Sequence, residues 1–263
     1  MNVTSDLINV RRDGPCGTIV LNRPERKNAL SREAVEQLSE ALEDFHGERS
    51  VRAVILTGSG DSFCAGTDLS QLKETAESKN ALALWHKDSR AFLELIEQML
   101  RFPKPIIASV NGWVLGSGVS LMLASDIVVG GANSRLGMPE ALRGLNPGIT
   151  TPLMSFRIGT AAASKVLYSG VPVTASDSLR LGLYQEVVED SLVWARCFEI
   201  ANACAAGARE SHQMTKQLLN ETIGENLFTQ LSIGTANMAA ARTTPAASEG
   251  IAAFLEKREP QWD

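Results

Sequence analysis

The stretch Pro103-Lys104-Pro105-Ile106-Ile107-Ala108-Ser109-Val110-Asn111-Gly112-Trp113-Val114-Leu115-Gly116-Ser117-Gly118-Val119-Ser120-Leu121 decides the fold. Its two prolines stop the helix that precedes them, because proline lacks an N–H and its ring blocks the preceding turn. The apolar run Ile106 to Val110 reads as a buried strand, and Asn111-Gly112 as a turn. Gly116-Ser117-Gly118 opens the apolar segment Val119 to Ala124, and Ile127 to Val129 is a further strand. Strand, glycine turn and helix in that order are the unit of an α/β chain.

Upstream, Thr18 to Leu21 is a short β-type run that ends at Asn22-Arg23-Pro24. Ser31 is a candidate N-cap, and Val35, Leu38, Leu42 and Phe45 follow at helical spacing. Val51 to Thr57 is β-branched and apolar and stops at Gly58-Ser59-Gly60. Ala76 to Leu100 reads as one helix. Beyond Thr151 helical runs dominate: Ala161 to Tyr168, Ala175 to Leu181, Ser191 to Ala206, Glu210 to Thr222, Phe228 to Ala241 and Pro245 to Lys257. Val187-Val188 is the only strand expected there.

With 44% hydrophobic and 21% charged residues over 263 positions, disorder and fibrous repeats are excluded. The net charge of −5 disfavours wrapping nucleic acid or coating an anionic membrane. No apolar run approaches the roughly 18 residues of a membrane span. Met1 to Gly14 lacks the apolar core of a signal peptide, so a cytoplasmic protein is expected. Cys16, Cys64, Cys197 and Cys204 form no Cys-x-x-Cys pair, and three histidines are present. Free buried thiols are expected, with no zinc site or disulfide framework.

Two glycine turns follow strands: Asp61 to Leu69, and Asn111 to Gly118. Small residues there let a ligand approach backbone N–H groups, and two such turns converging on one oxygen would form an oxyanion hole. Neither turn is a P-loop, a dinucleotide fingerprint or a nucleophile elbow. A third segment, Gly137 to Gly148, sets Glu140 among apolar residues. Such a carboxyl is pushed towards the working range of a general base, unless Arg143 or Arg135 pairs with it.

In order, Asn22-Arg23-Pro24…Asn28-Ala29-Leu30, Phe63-x-Ala65-Gly66-x-Asp68-Leu69, Pro103-x-Pro105-Ile106-Ile107-Ala108-x-Val110-Asn111-Gly112, Gly116-x-Gly118, Ser125-Asp126-Ile127 and Pro139-Glu140 resemble the enoyl-CoA hydratase/isomerase (crotonase) superfamily. The tail Glu249-Gly250-x-x-Ala253-Phe254-x-Glu256-Lys257-Arg258 is similar to that family's C-terminus, and the resemblance runs from about Ile8 to Pro260. It implies an α/β spiral of β-β-α units over residues 1–200. Residues 201–263 would form a helical oligomerisation region, assembling trimers or dimers of trimers.

The resemblance also implies an acyl-CoA thioester substrate, with coenzyme A as part of the substrate and no separate cofactor or metal. Backbone N–H groups of Thr67 and Ser117 would hold an enolate oxygen. Both positions depart from the family's small residues, and their hydroxyls would narrow the pocket or add hydrogen bonds. Arg26, Lys27, Ala65, Thr67 and Leu69 match coenzyme A contacts, and Phe254 and Lys257 match residues that reach coenzyme A from the same or a neighbouring subunit. Typical hydratases carry two glutamates. Here Glu140 fills one slot and Ser120 stands in the other. One glutamate suffices to move a double bond, so the resemblance favours an isomerase. Hydratase, hydroxycinnamoyl-CoA hydratase-lyase and a non-catalytic acyl-CoA binder are the alternatives. The pair Ser120 and Glu140 resembles the lyase branch, but Tyr168 and Tyr184 lie outside the expected acyl-pocket stretch, Leu72 to Phe92. That stretch holds Lys73, Trp85, His86 and Lys87, with His86 either a second acid/base or a surface residue. Trp113 is a candidate pocket wall or core residue, and Asp126 matches a structural position. RNA binding is disfavoured by the acidic charge and the lack of a basic stripe.

Overall fold

The computed structural model describes residues 7–222 and 224–262. Residues 1–6, the start of the leader reading, lie outside them. In chain order the elements are β1 (Ile8–Asp13), β2 (Cys16–Leu21), α1 (Arg32–Gly47), β3 (Ala53–Gly58), β4 (Ser62–Cys64), α2 (Leu69–Ala76), α3 (Ala81–Arg101), β5 (Ile106–Val110), β6 (Trp113–Leu115), α4 (Ser117–Ala124), β7 (Ile127–Gly131), β8 (Arg135–Gly137), α5 (Thr150–Ser169), β9 (Val173–Thr174), α6 (Ala175–Leu181), β10 (Glu186–Val188), α7 (Val193–Ala205), α8 (Arg209–Gln217), α9 (Leu227–Ala241) and α10 (Pro245–Glu256).

Among the described residues the strands form two sheets, ordered β1-β2-β3-β5-β7-β10 and β4-β6-β8-β9. β2, β3, β5, β7 and β10 run parallel, as do β4, β6 and β8. Each turn of the chain gives one strand to each sheet and then a helix: β3-β4-α2, β5-β6-α4, β7-β8-α5. This is the expected spiral of β-β-α units.

Side-chain alternation explains the layers. In β3, Val54 and Leu56 face the main core, while Ala53 and Ile55 face Val193, Cys197 and Ala201 of α7. Helix α1 starts where Ser31 accepts a 3.2 Å hydrogen bond from the Ala34 N–H, and it buries Leu38, Leu42 and Phe45. Val35, expected on that face, is only half-buried. The helix expected over Ala76 to Leu100 starts at Ala81 instead; Ala76 ends the separate helix α2, and residues 77–80 lie between the two. Cys16, Cys64 and Cys197 are buried free thiols, and Cys204 is half-buried.

The expected boundary at residue 200 falls inside α7. Helix α9 enters the main core through Leu227, Leu231 and Met238. Asp126 has a structural place: it accepts bonds of 2.7 Å from the Ile106 N–H and from the buried Lys216 ammonium. No helix among the described residues is long and apolar enough to cross a membrane.

Candidate active site

The smaller sheet positions the site. β4, β6 and β8 lie side by side and parallel, so the chain leaves all three at one edge. Loops at the carboxyl ends of parallel strands are where α/β folds gather ligands. Here they are Ala65 to Asp68, Gly116, and Met138 to Glu140.

These three loops touch. Gly66 has φ +84°, and a Cβ there would sit 2.7 Å from the Leu115 carbonyl oxygen. Gly116 has φ +53°, and its Cβ would sit 2.7 Å from Glu140 Oε1. Only glycine accommodates both the left-handed backbone and the approach. The loop over residues 23–30 is strapped on top. Asn28 Nδ2 donates to the Ser59 and Ser62 carbonyls at 2.9 and 2.8 Å, Ala65 N–H donates to Lys27 at 2.9 Å, and Leu30 N–H donates to Gly66 at 2.7 Å.

Between these loops lies a cavity of about 410 Å³. Arg26, Lys27, Ala65, Thr67, Leu69, Ser117, Ser120, Glu140 and Phe254 line it. Lys257 does not: it is the exposed, left-handed C-cap of α10. The backbone N–H groups of Thr67 and Ser117 have no acceptor among the described residues. Ser117 is the first residue of α4, where helical N–H groups lack partners. The Thr67 and Ser117 hydroxyls are hydrogen-bonded to each other at 2.8 Å.

Glu140 follows Pro139 and precedes a single 3-10 turn, Ala141–Arg143. Its Oε2 is fully buried with no hydrogen-bond partner. Burial pushes its carboxyl up from 4.5 to about 7, against smaller lowering effects of its own backbone and of Arg143. The alternative pairing with arginine is not formed. The Arg143 guanidinium stacks 4.4 Å from the Phe254 ring, and Arg135 donates to the Ser134 carbonyl. Asp68 also lines the cavity, but Arg23 holds it at 2.7 Å and it caps α2 through the Ser70 N–H. Glu140 is therefore the cavity carboxylate free to take a proton. On the same cavity wall, buried Ser120 is hydrogen-bonded to Thr150 at 2.7 Å.

A family model described as Enoyl-CoA hydratase/isomerase matches residues 12–263. The chain belongs to the enoyl-CoA hydratase/isomerase family. It is an enzyme of the hydratase/isomerase type. It is 32% identical to a short-chain-enoyl-CoA hydratase of Clostridium acetobutylicum, over 95% of each chain. It is 30% identical to a 1,2-epoxyphenylacetyl-CoA isomerase of Escherichia coli, over 93% of this chain and 94% of that one. The crystal structure of an enoyl-CoA hydratase/isomerase from Mycobacterium paratuberculosis shares the fold, with a TM-score of 0.86, 27% identity, and 94% and 97% of the two chains covered.

Within this hydratase/isomerase framework the expected acyl-pocket stretch divides. Leu72 and Phe92 line the cavity, while Trp85 packs against Leu72 and Ile251. Lys73 and His86 are exposed and off the cavity, so His86 is a surface residue. Trp113 is 37% exposed and does not line the cavity, nor do Tyr168 and Tyr184. Reading the sequence missed Arg143, Thr150, Met238 and Arg242, all on the cavity wall. Arg143 lies three residues from Glu140 and was weighed only as its ion-pair partner. For Arg242 no signal existed, since a cation at a helix C-terminus is ordinary.

Proposed function

We propose that the protein acts on an acyl-CoA thioester through an enolate, with Glu140 as the single proton carrier, and that it moves a double bond from the 3- to the 2-position. The Glu140 carboxylate takes a proton from C2. The electron pair moves onto the thioester oxygen, where the Thr67 and Ser117 N–H groups receive the charge. A lost donor of this kind costs about 3 kcal/mol of transition-state stabilisation. The new acid returns its proton at C4, the 3,4-double bond becomes a 2,3-double bond, and Glu140 is again ionised. Lying near 7, Glu140 is balanced between base and acid at neutral pH.

The observation that carries this reading is the asymmetry of the cavity. One free carboxyl faces it, and the second family slot holds a hydroxyl already bonded to Thr150. A hydroxyl with no base beside it does not activate water at neutral pH. Arg26 and Lys27 at the exposed rim, with Phe254 and Leu69, fit a polyanionic coenzyme A. The half-buried Arg143 adds a further cation to that wall. Hydration is the second reading, favoured by relatives named hydratases, such as the C. acetobutylicum protein. In it the Ser120–Thr150 pair would orient the water.

Parallel incubation with a 3-enoyl-CoA, crotonyl-CoA and a hydroxycinnamoyl-CoA, followed by mass spectrometry and ultraviolet absorbance, tests the proposal. Isomerisation of the first with little water added to the second is expected. Rapid hydration of crotonyl-CoA would overturn the one-carboxylate reading, and aldehyde release from the third would make the enzyme a lyase. We further propose assembly as a trimer or dimer of trimers. Supporting it, Met214, Leu218, Leu219 and Ile233 in the C-terminal helical region are each more than half exposed. Light scattering checks the mass.

A further inference from the structure

Arg242 follows the last residue of α9 and is only 6% exposed. Among the described residues its guanidinium makes one hydrogen bond, a long 3.5 Å contact from Nη1 to the Trp85 carbonyl. No carboxylate among the described residues pairs with it. Asp88, whose charge it feels, is already held by Arg32 through bonds of 2.6 and 2.8 Å. Burial lowers the Arg242 pKa to about 10, with Asp88 opposing the effect and Arg32 adding to it. An unpaired buried charge is costly, and arginine has five donors to satisfy. The unpartnered nitrogens are not sealed in the core. Arg242 lines the active-site cavity and also a second cavity of about 570 Å³ that shares several of its residues.

The surroundings say what such a cation is for. Leu72, Phe92 and Met238 line both cavities with it, as do Thr67 and Asp68, whose carboxylate is already held by Arg23 at 2.7 Å. Methylene groups suit the three apolar walls, and a buried guanidinium sharing the cavity with them does not suit a terminal methyl. The half-buried Arg143, also on the cavity wall, stacks on Phe254 instead.

We propose that Arg242 receives a carboxylate at the far end of the acyl group, so that the substrate is the coenzyme A monothioester of a short dicarboxylic acid. This rests on the acyl-CoA reading above. Guanidinium and carboxylate pair through two parallel N–H···O bonds, and a site built for such a group rejects the analogue lacking it.

Calorimetric titration with saturated thioesters tests the proposal without turnover. Glutaryl-, adipyl- and suberyl-CoA are compared with pentanoyl-, hexanoyl- and octanoyl-CoA, on wild type, Arg242→Met and Arg242→Lys, each checked by thermal melting. Wild type is expected to bind at least one carboxylated thioester about tenfold or more tighter than its plain counterpart. Arg242→Met should erase that preference and keep affinity for the plain series, and Arg242→Lys should retain part of it. Equal binding of both series by wild type overturns this inference and leaves the acyl-CoA reading standing. Equal losses for both series in Arg242→Met also overturn it. Binding of neither series overturns the acyl-CoA reading and this inference together. The wild-type comparison stands even if a variant does not fold.

Discussion

Replacing Glu140 by glutamine should make the protein more stable, and only above acidic pH. The native carboxyl sits near 7, because burial disfavours its ionised form, against 4.5 for an ordinary one. At 1.36 kcal/mol per pKa unit this amounts to roughly 3 kcal/mol. Between these two values the folded protein keeps a proton that the unfolded chain has released. Stability contributed by the protonated form is complete below about pH 4.5 and is lost as the pH rises through 7. Glutamine carries no such dependence. The Glu140→Gln advantage should therefore start near zero at pH 4.5 and reach about 3 kcal/mol above pH 7. For a chain of this size that is a rise in Tm on the order of 6 °C or more. Calorimetric melts of both proteins from pH 4.5 to 8.5 measure it. Two Tm profiles that run parallel across the range would refute the buried, unpaired state of this carboxyl.

Gly116→Ala should cripple turnover while the protein still folds: the added methyl would meet Glu140 Oε1 at 2.7 Å on a backbone with φ +53°. Steady-state kinetics should show a fall in kcat of about 100-fold. Ser120→Ala leaves the buried Thr150 hydroxyl without its 2.7 Å partner, at about 1–3 kcal/mol in denaturant melts, while 3-enoyl-CoA isomerisation stays within about tenfold. Asp126→Asn strips the charge partner from Lys216, which is 7% exposed, and should cost about 3–5 kcal/mol of stability in urea unfolding with kcat unchanged.

Much of this molecule was legible before its structure. Ile106 to Val110 is a strand to the residue, and Ala175 to Leu181 a helix, because uniform apolar runs and capped amphipathic runs declare themselves. The second sheet was not legible. β4, β6 and β8 have three residues each, too few for alternation to register. Yet they are what brings the Gly66, Gly116 and Glu140 loops to one edge. The motifs there stood out through their glycines and the lone glutamate, so the residues were found while the scaffold joining them was not. Lys257 was found through a tail motif, and as the left-handed cap of α10 it lies off the cavity wall of its own chain. Arg242 was invisible because its importance lies in what it lacks, a partner, and pairing across some 150 residues of chain does not show in a sequence.

The central claim is that one carboxyl, Glu140, carries the proton in an enolate reaction. Turnover of 3-hexenoyl-CoA to its 2-enoyl isomer by wild type and by Glu140→Gln, both verified as folded, tests it most directly. A loss of about 100-fold or more in the variant, with little 3-hydroxy product from wild type, is what this account predicts. A variant that keeps its rate within about tenfold, or a wild type that chiefly adds water, would contradict it.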